Sequence, residues 1–162
     1  MTIRQDVLVA PVERLETALA AHSPGRERDW AGVMDAILGG VEEALRRHVA
    51  DTDAAGGMFT KVDLTRPTLV RKVSNLRQEH TSFLERAEAL RQEVRSAAKA
   101  FDPQAPDGGS GRLPAPAGSG AVPDFGSLRQ QLKEFADALK HHRDEEAGLV
   151  IESVATDIGV GD

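Results

Sequence analysis

Apolar residues recur every three to four positions along four stretches of the chain, the spacing of a helix face buried on one side. The first runs through Leu8, Val12, Leu15, Leu19 and His22. Pro11 lacks a backbone donor and clashes one turn back, so this helix is expected to begin near Val9 or Ala10, with Pro11 in its first turn. Ser23, Pro24 and Gly25 end it. The second is expected to start near Glu27, with Trp30, Met34, Ile37, Val41, Ala44 and His48 as its stripe and Leu38 and Leu45 beside it. Gly39 and Gly40, each costing ~1 kcal/mol in a helix, read as a close helix crossing. The stripe continues through Thr52, Ala55, Phe59 and Val62 despite Gly56 and Gly57, which favours a helix persisting to Val62.

A third helix is signalled by Asp63, Leu64 and Thr65 ahead of Pro67. Leu69, Val73, Leu76, His80, Phe83, Ala87, Leu90 and Val94 then alternate four and three, while Glu85, Arg86, Arg91, Glu93 and Arg95 make a solvated face. The fourth stripe comprises Phe125, Leu128, Leu132, Phe135, Leu139, His142, Glu146 and Leu149, with a helix running to about Val154 and Ser127 and Gln130 as its capping box. Between the last two helices, 12 of the 22 residues 102–123 are Pro, Gly or Ser, the composition of a flexible linker. The Gly-rich acidic residues 156–162 carry no recognisable chemistry. With no strand pattern, the whole chain, 1–162, reads as one all-α domain, an antiparallel up-down four-helix bundle.

Composition narrows the function. The chain has 26 acidic against 20 basic residues, a net charge of -6, and no dense basic run, which argues against nucleic acid. It contains no cysteine and no tyrosine, so thiolate ligands, disulfides and tyrosine chemistry are excluded. Neither a signal-peptide pattern nor a membrane-length apolar run is present, and the expectation is a soluble, cytoplasmic protein.

The buried stripes are interrupted by histidine. His142 and Glu146 lie one turn apart on an otherwise apolar seam, a costly arrangement unless something satisfies them. Depth along the helices decides which others join them. His80 lies 21 residues before Phe101 and His142 lies 18 after Asp124. Those separations are ~31 and ~27 Å, so the two meet. His48 meets His80 only if the second helix reaches Val62; a helix stopping at Asp53 would leave them at different levels. His22 sits beside Trp30, ~27 Å from His48 along the second helix, and falls outside the group. It reads as a helix C-terminal residue. His48, His80, His142 and Glu146 are thus the candidate metal ligands, a nitrogen and carboxylate set suited to iron, zinc or manganese. Asp51, Asp53, His141 and Glu145 are subsidiary candidates by position. Glu79 and Glu145 also read as solvated flank charges, and His141 as exposed.

With His48 on the second helix, Glu79-His80 on the third and His142 to Glu146 on the fourth, residues 8–155 resemble the hemerythrin-like, or HHE, cation-binding family. The resemblance implies an up-down four-helix bundle holding non-haem iron, mono- or dinuclear, that binds dioxygen or senses oxygen, nitric oxide or iron. It carries ligand roles over to His48, His80, His142 and Glu146. Two family positions depart from the pattern. No first-helix histidine is found, only Gln5 and Asp6 being polar at that level, and the carboxylate after the second-helix histidine is replaced by Thr52. A metal-free bundle acting as an interaction or regulatory module is the alternative. A ferritin-like carboxylate oxidase ranks third, because Leu45, Arg77 and Leu139 occupy the positions where its Glu-x-x-His motifs need glutamate.

Overall fold

A computed structural model describes residues 7–21, 24–100 and 124–155. Within them the chain is helical and contains no strand: α1 (Val9–Ala20), α2 (Glu27–Asp53), α3 (Met58–Thr65), a short 3-10 turn (Pro67–Leu69), α4 (Val70–Ala100) and α5 (Phe125–Ala155). The expected linker 102–123, the tail 156–162, and His22, Gln5 and Asp6 lie outside the described residues. No described helix is long and apolar enough to cross a membrane.

The packing follows from the stripes. α1 touches α2 and α5, and α4 touches α2 and α5, so the four longer helices close a ring. Ion pairs fix their directions. Asp35 meets Arg91 and Arg95 while Asp53 meets Arg77, so α2 and α4 are antiparallel. Arg86 meets Glu134 and Lys72 meets Glu152, so α4 and α5 are antiparallel too. Trp30 Nε1 donates to the Ala18 carbonyl at 3.1 Å, tying the start of α2 to α1. The core falls into two apolar clusters. The larger unites α1, α2, α4 and α5 around residues such as Leu15, Met34, Leu38, Leu90 and Phe135. The smaller joins Phe59 and Val62 of α3 to Val73, Leu76 and Leu149. His48, His80, His142 and Glu146 are buried but belong to neither.

Three expectations need correction. The second helix stops at Asp53 rather than reaching Val62. Gly56 takes a left-handed φ of 98°. A Cβ on Gly57 would sit 2.4 Å from the Thr52 carbonyl oxygen, so only glycine lets the chain fold back so closely. The chain then resumes as α3, whose Phe59 and Val62 still face inward, and His48 and His80 meet although α2 has ended. The cap of α5 is Asp124, whose Oδ1 accepts from the Ser127 amide at 3.1 Å, in place of the Ser127 box. Of the glycine pair in α2, only Gly39 marks a close approach, and it admits the Arg91 side chain rather than a second backbone; Gly40 faces open space.

Two substitutions test the break after α2. Gly57→Ala forces a Cβ against backbone and is expected to destabilise by ~1–3 kcal/mol. Gly40→Ala, in an open helical position, is expected to stabilise by ~0.5–1 kcal/mol. Thermal or urea unfolding of both variants checks the pair.

Candidate metal centre

α2, α4 and α5 each bring one histidine to the same level between the two apolar clusters. Each sits on its helix where the apolar stripe requires an inward side chain: His48 follows Leu45, His80 lies between Leu76 and Phe83, and His142 follows Leu139. All are out of solvent, with exposures of 8% for His48, 2% for His80, 0% for His142 and 7% for Glu146. The rings crowd one another, the His80 and His142 centroids being 4.7 Å apart and those of His48 and His80 5.0 Å.

Glu146 is the hub. Its Oε1 lies 2.9 Å from His48 Nε2, 3.4 Å from His80 Nε2 and 3.3 Å from His142 Nε2. Only the His48 contact is a hydrogen bond; both ring nitrogens of His80 and the Nε2 of His142 are buried with no hydrogen-bond partner. One ligand atom from each of the four residues lies within 4.8 Å of every other, and among the described residues they form the one such group that could hold a metal ion. Two ligands bound at ~2.1 Å on tetrahedral axes stand ~3.4 Å apart, so the carboxylate-to-imidazole spacings match a shared ion.

His142 carries the clearest signal. Its Nδ1 lies 2.7 Å from Glu79 Oε2. An ionised carboxylate only accepts, so Nδ1 bears the proton, and in the neutral ring the Nε2 lone pair then faces Glu146. A lone pair facing a carboxylate oxygen calls for a cation between them. In the metal-free protein a proton on Nε2 is the other way to fill that place. Burial would raise the Glu146 carboxyl, but His142, His48 and His80 outweigh it and hold it far below the usual carboxylate range. Burial would lower His142, but Glu146 and then Glu79 outweigh it and raise it above the ordinary imidazole value.

The subsidiary candidates stand apart from this cluster. Asp53 is bound by Arg77 at 2.6 Å. His141 is 76% exposed and faces its neighbour one turn on, Glu145, at 3.5 Å. Asp51 is exposed on α2. Thr52 is buried, yet its hydroxyl turns back to the His48 and Val49 carbonyls. Among the described residues Glu146 is therefore the only carboxylate of the group.

The sequence reading missed Glu79, which orients His142 from a partly exposed position. A signal was present. Glu79, Arg86 and Glu93 are seven residues apart on α4, and all three meet α5, at His142, Glu134 and Gln131. That spacing marks a helix flank in contact with its neighbour.

Fold and site together define an all-helical protein with a buried three-histidine, one-glutamate cluster able to hold a metal ion. No family model, no curated protein and no solved structure matches the chain.

His80, with neither nitrogen satisfied, burdens the metal-free protein. His80→Leu is expected to raise the stability of that form by ~1 kcal/mol, since a buried unsatisfied polar group costs ~1–3 kcal/mol. Unfolding measured in excess chelator checks this; a loss of stability of similar size would show that His80 is satisfied without an ion.

Proposed function

We propose that this chain is a hemerythrin-like metal-binding protein that holds one non-haem iron through His48, His80, His142 and Glu146. The observation that carries the reading is the inward Nε2 of His142, fixed by Glu79 at 2.7 Å and aimed at Glu146 Oε1, 3.3 Å away. A cation resolves that opposition, and a divalent metal also occupies the free nitrogen of His80. Imidazole and carboxylate suit iron, zinc and manganese alike. Zinc favours four ligands and would be saturated by this set, whereas six-coordinate iron or manganese would keep two positions for small ligands. The resemblance selects iron, with dioxygen or nitric oxide as the ligand to be carried or sensed.

The metal-free interaction module is the second reading. Its support is the 2.9 Å hydrogen bond between His48 and Glu146, which satisfies both groups without an ion. The two readings separate on one titration.

Anaerobic addition of iron(II) to chelator-treated protein is expected to saturate at one ion per chain. Air or nitric oxide should then produce an absorption band that is lost in His80→Leu and His142→Leu. Acidification should weaken binding, because protons compete for the imidazole lone pairs. Glu79→Leu should weaken it ~10–100-fold by releasing the His142 ring. Protein that binds no iron, zinc or manganese under these conditions would support the metal-free module instead.

A further inference from the structure

The cluster is closed to solvent, so an ion or a small ligand can reach it only if some part of the fold moves. Three of its walls are long helices with a continuous core. Among the described residues the remaining wall is α3, eight residues from Met58 to Thr65 with Phe59 and Val62 buried and Lys61, Leu64 and Thr65 exposed. A helix this short has little stability of its own. Its inner face packs into the smaller apolar cluster, which is separate from the main core. Phe59 stacks on His80, ring centroids 5.4 Å apart and planes 24° from parallel. Behind it lies the break at Gly56 and Gly57, where φ is positive at the first and a Cβ on the second would meet backbone.

Arg77 ties this wall to two helices at once, beside a hydrogen bond of 3.3 Å from Thr60 Oγ1 to the Asp53 carbonyl. Arg77 of α4 donates to Asp53 at the end of α2, at 2.6 Å, and to Asp63 in the last turn of α3, at 2.7 Å. Its guanidinium carbon also sits 5.5 Å from the centre of the Phe59 ring. Asp53 and then Asp63 raise the Arg77 pKa, as expected of a cation held by two carboxylates. Arg66 Nε donates to the Ser153 carbonyl at 3.0 Å and tethers the far end of α3 to α5.

We infer that α3 is a hinged cover over the histidine cluster, that Arg77 is its latch, and that the metal ion enters and leaves when α3 swings about Gly56 and Gly57. The inference rests on the metal reading and adds the regulation of access to it. Release of Arg77 frees Asp53 and Asp63 together and removes the group lying over Phe59, so the Phe59 ring can leave His80 without disturbing the main core. If ions pass only through the open form, the latch sets the rates of uptake and release and not the affinity.

Zinc exchange and amide hydrogen exchange of Arg77→Leu test this against Arg91→Leu. Arg91 bridges Asp35 and Glu42 between the same two helices, far from α3, so it controls for general loss of ion pairs. In Arg77→Leu, zinc uptake and transfer to excess chelator should both quicken about tenfold, the factor that ~1.4 kcal/mol of lost closure represents, with the dissociation constant nearly unchanged. Arg77→Lys, which keeps the charge but not the two-pronged bridge, should be intermediate and guards against misfolding of the leucine variant. Arg91→Leu should leave both rates unaltered. In the metal-free protein, α3 amides should exchange faster in Arg77→Leu while those of α5 do not. Equal acceleration by Arg77→Leu and Arg91→Leu, or unchanged α3 exchange in Arg77→Leu, would overturn the cover. Wild-type protein that binds no zinc would refute the metal reading instead, and the hinge would then be judged on amide exchange alone.

Discussion

Everything in this fold is arranged around one carboxylate. Glu146 places a single oxygen within 3.4 Å of three imidazole nitrogens from three helices, inside a largely apolar core. A buried carboxylate is costly unless cations or donors surround it. Here the donors are too few: His48 satisfies it, while His80 and His142 offer nitrogens with no partner. In the metal-free cluster a proton on His142, whose pKa Glu146 and Glu79 raise, and a metal ion compete for the same place.

The polar layer also divides the protein mechanically. On one side, Leu139, Leu45 and Phe83 lead into the large cluster shared by four helices; on the other, Leu76 and Leu149 lead into the small cluster closed by α3. The first side is continuous helix and gives rigidity to the ligand positions. The second is interrupted by two glycines and pinned by Arg77, and among the described residues gives the site a short wall.

Much of this was legible in the stripes, because burial on a helix repeats every three to four residues whatever the loops do. The helices, the inward histidines and the common level of His80 and His142 follow from that rule, whereas His48 reaches the same level although α2 stops where the depth count would have separated it from His80. The end of α2 does not follow from it. Phe59 and Val62 stay in phase with the stripe although the helix has stopped, because α3 packs on the same side after the turn. What ends α2 is a backbone approach at Gly57, which hydrophobic spacing cannot register. Glu79 was obscured for a different reason. Its side chain is 41% exposed, so it carries the composition of a solvated flank while one oxygen reaches a fully buried ring. The Asp124 cap was hidden beside the Pro- and Gly-rich residues, where Ser127 offered an equally plausible start.

X-ray absorption at the metal edge of iron- or zinc-loaded protein tests the central claim most directly. Bonds of ~2.1 Å to nitrogen and oxygen, with the multiple-scattering pattern of three imidazoles, are the expected result, and the pattern should fall to two in His80→Leu. A shell of oxygens without imidazole scattering, or a spectrum unchanged in His80→Leu, would contradict it.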